Sequence, residues 1–401
     1  MKRPPAPPPR LDCRVEGLAF GGEGVARVDG MVVFVEGALP GERAAVEIAR
    51  EEKRFKRGRA VEILEFSPDR VSPRCRLFGR CGGCVLQHLR YESQVAWKRR
   101  QALDILARIG GFPEFECGEA VPSPSPYAYR NTVRLHRLPG REPRYGFCGR
   151  NARTLVEVTR CEIAADAINE VLPELGRRAG RRPPPDEIRV RAGVGGGAVV
   201  HPGARPAGPV VFSLGGARFS VPPASFFQVN IPVAESIVAR LADWIDAPAP
   251  VGTLFDLHCG AGIFSALLGK RFRRTVGIDR DARAVAAARG NAAEAGAGEA
   301  VFIAGDAGEI FAEAFREHAR EGSVALLDPP RDGVDERLIG LLAGAGRKLA
   351  RILYVSCDPA TLARDLKRLC AGGAWRLEQA AVFDMFPQTA HLEVCASVRR
   401  A

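Results

Sequence analysis

The sequence predicts an α/β protein with several domains, and two observations lead to that fold class. Residues 11–66 contain five short β-type runs separated by glycines, a pattern typical of a small closed barrel of the OB type. From residue 226 onward, apolar strand-like runs alternate with helical segments rich in Ala and Leu. This alternation favours a mostly parallel sheet with helices on both faces. We therefore predict an OB-like barrel at residues 11–66, a central α+β domain at residues 67–225 and a Rossmann-like domain at residues 226–401.

Composition and the start of the chain define the broad class of protein. Hydrophobic residues make up 46% of the 401 residues and charged residues 26%, which excludes wholesale disorder. Residues 1–10 are rich in proline and are predicted to have no fixed structure. No apolar segment follows this charged start, and no apolar run approaches the roughly 18 residues that a membrane span needs. We therefore expect a cytoplasmic protein with no membrane partner, and we expect it to be a monomer.

The formal net charge of +11 is concentrated in the first part of the chain. Residues 1–250 carry 38 basic and 28 acidic side chains, whereas residues 251–401 carry 20 and 19. In the predicted barrel, Phe55 interrupts the basic run at residues 53–59 and supplies a ring that can stack on a base. This distribution favours a nucleic-acid-binding front half joined to a catalytic back half, although a solvated Arg-rich surface explains the charge alone equally well.

A glycine turn between a predicted strand and a predicted helix indicates a cofactor site. The strand at residues 254–257 leads into a G-x-G turn at residues 260–262, where backbone amides can approach a ligand closely. Asp279 ends the next strand, where a carboxylate can accept both ribose hydroxyls, and Asp306 follows the third strand, where it can bond an adenine amine. Ser265 stands at the third glycine position of a dinucleotide fingerprint, and Asp256, which precedes the turn, suits S-adenosylmethionine better than NAD. The alternative for each Asp is a strand-end cap.

Other strand ends carry reactive side chains. Asp328 begins a D-P-P-R motif, whose arginine, in place of an aromatic residue, argues against methyl transfer to an exocyclic amine. Cys357 precedes a predicted helix with Pro359 near its start. The helix macrodipole is expected to lower the pKa of this thiol, although a structural thiol is an equally good interpretation. Glu393 lies on the last predicted strand, either facing solvent or acting as a base at the same end of the sheet as Cys357.

The cysteines form a second pattern. Eleven of them, an odd number in a chain with no export signal, favour reduced thiols or metal ligands over disulfides. Cys75, Cys81 and Cys84 form a C-x5-C-x2-C cluster whose intervening glycines let the backbone wrap a ligand. A fourth ligand must come from elsewhere in the chain. The spacing favours zinc and a [4Fe–4S] cluster about equally.

Taken in order, these motifs resemble those of the uridine-C5 RNA methyltransferases that carry an iron–sulfur cluster. The resemblance covers nearly the whole chain and rests on Leu39-Pro40-Gly41-Glu42, the cysteine cluster, Tyr129-Arg130-Asn131, Phe226-Phe227-Gln228-Val229-Asn230, the glycine turn, Asp328-Pro329-Pro330-Arg331, Ser356-Cys357-Asp358-Pro359 and residues 386–393. As an ordered set, these motifs are highly specific. The resemblance implies that residues 11–66 form a TRAM domain, an RNA-binding module, and that residues 226–401 form a class I methyltransferase domain.

The resemblance also implies roles for individual residues. Cys357 is expected to be the nucleophile and Glu393 the base. Cys161 is expected to complete a [4Fe–4S] ligand set with the three clustered cysteines. The expected residues of the S-adenosylmethionine site are Gln228, His258, Ile263, Asp279, Asp306 and Asp328.

The chemistry of C5 methylation explains why a thiol and a carboxylate are needed. C5 of uracil is a poor nucleophile until a thiolate adds to C6, and a carboxylate must then remove the C5 proton before the thiolate leaves. Asp328 can also hydrogen-bond the uracil edge. We therefore predict an S-adenosylmethionine-dependent RNA uridine-C5 methyltransferase acting on 23S rRNA, with tRNA as the alternative substrate. An amino or carbon methyltransferase acting on protein or DNA, and a non-catalytic RNA-binding or chaperone protein, are the alternatives of other kinds.

Overall fold

The computed structural model describes residues 10–179, 183–202, 207–245 and 251–401. Of the proline-rich segment expected at residues 1–10, only Arg10 lies within the described residues, and it begins the first strand. In these ranges, no helix has both the length and the apolar character needed to cross a membrane.

The first five strands form a closed barrel. They are β1 (Arg10–Leu18), β2 (Gly24–Val28), β3 (Met31–Glu36), β4 (Arg43–Glu51) and β5 (Phe55–Glu65), joined in the order β1-β2-β3-β5-β4. Alternate side chains point inward and form an apolar core that includes Val15, Val33 and Val46. The barrel expected from the glycine-broken runs is thereby confirmed.

A helix with a polar buried face follows the cysteine segment. This helix, α1 (Tyr91–Ile105), continues as a π-helical turn at Leu106–Gly110 and is followed by the short strand β6 (Glu116–Cys117). The buried residues of α1 are Gln94, Lys98, Gln101 and Ala102. Three of these four side chains are polar, so α1 must satisfy its buried groups through hydrogen bonds and ion pairs rather than through apolar packing.

The central region contains an antiparallel sheet of five strands and a separate hairpin. Its elements are β7 (Thr132–Arg137), β8 (Tyr145–Cys148), β9 (Leu155–Glu157), α2 (Asp166–Val171), a 3-10 turn at Leu172–Glu174, α3 (Leu175–Ala179), β10 (Glu187–Ala192), β11 (Ala198–His201), β12 (Val210–Leu214) and β13 (Ala217–Val221). The sheet order is β11-β10-β7-β8-β9, and β12 pairs with β13. Helix α2 packs against the apolar core of this sheet through Ile168 and Val171.

The C-terminal region confirms the predicted alternation of strands and helices. Its elements are α4 (Ile231–Ile245), β14 (Val251–Leu257), α5 (Ile263–Leu268), a 3-10 turn at Gly269–Arg271, β15 (Phe272–Asp279), α6 (Ala282–Glu294), β16 (Glu299–Ala304), α7 (Ala307–His318), β17 (Ser323–Leu327), α8 (Glu336–Ala343), β18 (Leu349–Ser356), α9 (Pro359–Cys370), β19 (Trp375–Phe383) and β20 (Glu393–Arg400). They form a sheet in the order β16-β15-β14-β17-β18-β20-β19-β6. Strands β14 to β18 are parallel, so their carboxyl ends meet at one edge, and β20 lies antiparallel beside β18.

Candidate active site

A cavity of about 1060 Å³ lies at the carboxyl ends of the parallel strands, where open α/β sheets bind their ligands. It brings together most of the residues expected from the sequence. Those that line it are Gln228, His258, Ile263, Asp279, Asp328, Cys357 and Glu393. One cavity therefore holds the expected nucleophile, the expected base and five of the six expected cofactor-site residues.

Asp306 is the exception. It does not line this cavity; instead, its carboxylate caps α7 by accepting from the Glu309 N–H. Its Oδ2 also accepts from Arg280 Nε at 2.6 Å, and the Arg280 guanidinium holds the pKa of this carboxyl below its usual range. The structure therefore shows Asp306 in a capping role, as the N-cap of α7, which was the alternative to a cofactor contact at this position. A contact between Asp306 and adenine stays a prediction, and it would have to compete with Arg280.

The glycine turn is held in place by two carboxylates. Asp256 is buried, and its Oδ2 accepts from Ser265 N–H at 2.9 Å and from Ser265 Oγ at 2.6 Å. Asp279 Oδ2 accepts from Gly260 N–H at 2.8 Å. At Gly262, φ is 82° and an added Cβ would stand 2.9 Å from the Ala288 Cβ, so only glycine fits without rearrangement. Asp279 therefore already orients the turn, and it also lines the cavity.

His258 leaves a polar atom unpartnered within this turn. Its φ is 70°, and its Nδ1 is buried with no hydrogen-bond partner. Burial lowers the pKa of the imidazole, so the ring is neutral at physiological pH. His258 itself lines the cavity, so the residue with this unpartnered nitrogen adjoins the space that a ligand would occupy.

The local sequence places Cys357 at a sharp turn from strand to helix. Strand β18 ends at Ser356, and α9 begins at Pro359, where proline is favoured because the first helical N–H has no partner. Between them, Asp358 Oδ1 accepts from Ala360 N–H and Thr361 N–H, both at 2.9 Å. This cap fixes the start of α9, and Cys357 lies directly before it.

The acid–base properties of the site correct one expectation. The pKa of Cys357 is raised to about 11, first by burial and then by the carboxylates of Glu393 and Asp328. The expected lowering of this pKa by the helix macrodipole is therefore wrong, because desolvation and two nearby acids outweigh a partial charge at a helix end. Burial and the nearby carboxylates of Asp256 and Asp279 raise the pKa of Asp328 to about 7. Burial and the Asp328 carboxylate raise the pKa of Glu393 well above its usual range.

Arg331 is the functional candidate that the sequence interpretation missed. The positive charge of its guanidinium opposes the rise of the Cys357 pKa and lowers the pKa of Glu393. Its Nη2 also lies 3.3 Å from His391 Nε2. The signal was present in the last position of the D-P-P-R motif, which we used only as evidence against an exocyclic amine substrate.

The four cysteines expected to bind a cluster line a second cavity, of about 730 Å³. Burial, followed by the nearby Cys161, Cys81 and Cys75, raises the pKa of Cys84 to about 12. An exposed fifth thiol, Cys148, lines the same cavity. Among the described residues, no group of three or more His, Cys, Asp or Glu side chains has an arrangement that could hold a metal ion. The structure thus brings the four thiols to one cavity without showing a metal site.

The two cavities adjoin, since Arg130, Arg331 and Phe386 line both. On the barrel, the Arg57 guanidinium lies 5.1 Å from the ring centre of Phe34 and 5.8 Å from that of Phe55. The Phe55 ring, expected to stack on a base, is therefore already partly covered by protein groups. Cationic side chains at the junction of the cavities and on the barrel give the positive surface that RNA phosphates require.

Family models match two parts of the chain. A model described as tRNA (Uracil-5-)-methyltransferase matches residues 217–401, and a TRAM domain model matches residues 10–61. The crystal structure of tRNA (uracil-54, C5)-methyltransferase from Pyrococcus abyssi, in complex with S-adenosyl-L-homocysteine, superposes with a TM-score of 0.73 at 24% identity. It covers 97% of this chain and 99% of that one, so the two share one fold over their whole length.

Curated relatives match at higher identity. The 23S rRNA (uracil(1939)-C(5))-methyltransferase RlmD of Thiobacillus denitrificans is 36% identical over 94% of this chain and 97% of its own. The enzyme of that name from Methylococcus capsulatus is 33% identical over 100% of this chain and 99% of its own. The Methylococcus capsulatus match covers the whole chain, and therefore the barrel, the cysteine segment and both cavities. The chain therefore belongs to the family of S-adenosylmethionine-dependent RNA uracil-C5 methyltransferases.

Proposed function

We propose that this enzyme methylates C5 of a uridine in 23S rRNA, with Cys357 as the nucleophile and Glu393 as the base. The observation that carries the proposal is the meeting of both residues, with Asp328 and Arg331, in one cavity at the carboxyl edge of the parallel sheet. The charges of Asp328 and Arg331 shift the pKa of both Cys357 and Glu393. The four side chains are therefore near one another, as joint action on one uracil ring requires.

In the proposed reaction, the Cys357 thiolate adds to C6 of uracil and gives an enolate whose C5 is nucleophilic. S-Adenosylmethionine, when bound, supplies the electrophilic methyl group. Glu393 then removes the C5 proton, and the electron pair of the C5–H bond forms the C5–C6 double bond as the thiolate leaves. Arg331 favours the thiolate by its positive charge. Asp328, when ionised, can accept from uracil N3–H, which cytosine lacks.

Residues of the first cavity fit the methyl donor. His258, whose Nδ1 is buried and unpartnered, lines this cavity, and nothing lies within 4 Å of a Cβ built on Gly260, which leaves open space beside the turn. Gln228, His258, Ile263 and Asp279 would hold the cofactor there. An ionised Asp328 can only accept hydrogen bonds. Its Oδ2 accepts from Gln228 Nε2 at 3.3 Å and so orients that amide.

Relatives support 23S rRNA over tRNA, since the 23S rRNA enzymes match at 33–36% identity and the tRNA enzyme at 24%. We propose that the protein works as a monomer in the cytoplasm. The test is to incubate the enzyme and labelled methyl donor with 23S rRNA and with bulk tRNA from cells that lack the gene, and to map 5-methyluridine. Label in 23S rRNA alone supports the proposal, label in tRNA alone transfers the activity to tRNA, and label in neither contradicts it.

We further propose that Cys75, Cys81, Cys84 and Cys161 hold a [4Fe–4S] cluster. Four thiols at one cavity raise one another's pKa, and a bound cation would remove this repulsion by stabilising the thiolates. The thiolate donors also suit zinc. Anaerobic purification followed by metal analysis separates the two: iron with a brown colour that bleaches under oxidants supports the cluster, whereas stoichiometric zinc without colour contradicts it.

A further inference from the structure

The loop at residues 384–392 forms part of the wall of both cavities. It joins β19 to β20, and the strand pair of Phe383 with Glu393 closes its base. Phe386 lines both cavities, and Thr389 and His391 line the cysteine cavity. A shift of this loop would therefore change both cavities at once.

Gln388, near the tip of this loop, is buried and has a φ of 69°, a conformation that residues other than glycine and asparagine adopt at a cost. Four hydrogen bonds hold it there. Its N–H donates to Gln94 Oε1 at 3.1 Å, and its Oε1 accepts from Gln94 Nε2 at 3.0 Å. Its carbonyl accepts from the N–H groups of Val85 and Leu86, both at 3.0 Å. These two residues follow Cys84 directly, so Gln388 also holds the cysteine segment.

The buried polar side chains Gln94 and Lys98 of α1 bind the loop through hydrogen bonds. Gln94 Nε2 lies 3.0 Å from the Leu86 carbonyl and 2.7 Å from the Leu89 carbonyl. One turn further along, Lys98 Nζ donates to Asp384 Oδ1 at 2.6 Å and to the Phe386 carbonyl at 3.0 Å. Both side chains are buried. Two of the three buried polar side chains of α1 therefore meet acceptors of this loop.

At its other end, the loop contacts Arg331, the cation near Cys357, through His391. Thr389 Oγ1 donates to the Phe386 carbonyl at 2.8 Å and accepts from His391 N–H at 3.1 Å. Burial and then the charges of Arg331, Lys98 and Arg130 lower the pKa of His391 to about 4, against the opposing effect of Asp358. The ring is thus neutral, and because a guanidinium can only donate, His391 Nε2 accepts from Arg331 Nη2.

We propose that Gln94 and Gln388 are positioning residues for the nucleophile: their contact holds the loop at residues 384–392 so that His391 keeps the Arg331 guanidinium beside Cys357. The inference rests on the proposed role of Cys357. It extends that role, because the Gln388 carbonyl also accepts hydrogen bonds from the backbone directly after Cys84. The same loop therefore contacts both the cysteine segment and the active site.

The test compares two buried glutamines on α1. Gln94→Leu removes the loop contact, whereas the matched control Gln101→Leu removes a hydrogen bond from Nε2 to the Leu18 carbonyl of the barrel. With the full-length protein, the rate of covalent complex formation with 5-fluorouridine RNA is measured in short incubations from pH 7 to pH 12, a range that includes the Cys357 pKa of about 11. Arg331 lowers the Cys357 pKa, whereas Glu393 and Asp328 raise it. If Gln94→Leu lets the Arg331 guanidinium move away, the midpoint of the pH–rate curve should rise by about one pH unit, which makes the rate at neutral pH about tenfold slower. Gln101→Leu should keep the wild-type midpoint.

Two further measurements keep the inference testable. Gln388→Gly removes only the side-chain bond and tolerates the positive φ, so it should fold and shift the midpoint in the same direction by less. Amide hydrogen exchange at residues 386–392 should be at least about tenfold faster in Gln94→Leu than in Gln101→Leu. An unchanged midpoint in both loop variants, an equal shift in Gln101→Leu, or unchanged exchange overturns the inference. Absence of any adduct in the wild type instead overturns the proposed role of Cys357, and the exchange experiment still tests the loop contact.

Discussion

The two cavities of this protein are both lined by cysteine thiols, but these thiols have different neighbours. Burial raises the pKa of Cys357 in one cavity and of Cys84 in the other. Cys357 shares its cavity with a cation, Arg331, whose charge lowers the thiol pKa. The other main influences on Cys84 are Gln87, which lowers its pKa, and three thiols, which raise it. The first environment suits a thiol that ionises, attacks and later leaves. The second suits thiols that ionise only when a metal cation binds them.

The largest expected effect separates the base from the nucleophile. Glu393→Gln should lower turnover by about 1000-fold, because the amide cannot take the C5 proton, while Cys357 can still add to the ring. A methylated covalent complex with ordinary RNA should then accumulate, seen as a shifted band after denaturation. The control, Glu378→Gln, changes a carboxylate that pairs with Arg351 and Arg399 and should leave turnover unchanged. Normal turnover by Glu393→Gln would remove Glu393 as the base.

The next effect distinguishes metal ligands from other thiols in the cysteine cavity. Cys161→Ser should lose most of its bound iron, because a hydroxyl is a poor replacement for a thiolate ligand. The matched control is Cys148→Ser, which changes the exposed thiol of the same cavity and should keep its iron. Iron content and absorbance after anaerobic purification provide the measurement. If Cys148→Ser loses iron and Cys161→Ser keeps it, the proposed ligand set is wrong.

A smaller effect tests the fixed cation beside Cys357. Arg331→Ala should shift the midpoint of adduct formation upward by about one pH unit, because burial and the carboxylates would then raise the thiol pKa unopposed. Arg331→Lys restores a charge without the planar fork and should give an intermediate midpoint. A loss of RNA affinity with no change of midpoint would assign Arg331 to RNA binding instead.

The smallest effect concerns stability. The folded pKa of Asp328 is raised from 3.8 to about 7, so the folded protein keeps a proton that the unfolded chain has lost. Stability therefore falls as pH rises from about 4 to about 7. Asp328→Asn removes this titration and should raise Tm by about 2–4 °C at pH 8, and by less at pH 5. Thermal unfolding at both pH values checks this, and an equal or lower Tm at pH 8 would contradict it.

Much of the fold follows from local patterns in the sequence. Glycine-broken strand runs predicted the barrel, and alternating strands and helices predicted the parallel sheet. The arrangement of the parallel strands also explains why Cys357 and Asp328 share a cavity, since both follow strands of one sheet. These features depend on periodicity and on turn residues close in sequence.

Features that depend on distant partners could not be predicted in the same way. Gln94 and Gln388 are hydrogen-bonded across 294 positions of sequence, and nothing local in α1 indicates that its buried face is polar. The pKa of Cys357 was wrongly expected to fall, because its helix position is local whereas Glu393 and Asp328 approach through the tertiary fold. Asp306 was assigned to the cofactor from its place after a strand, but its interaction with Arg280 needs the folded chain.

The central claim is that Cys357 attacks C6 of a uridine in RNA. The most direct measurement is to incubate the full-length protein and S-adenosylmethionine with 23S rRNA that contains 5-fluorouridine, whose fluorine cannot be removed as a proton. The account predicts a covalent protein–RNA complex that survives denaturation, with mass spectrometry locating the nucleotide on Cys357, and no complex with Cys357→Ala. No complex with a folded wild-type protein, or a complex that persists in Cys357→Ala, would contradict the account.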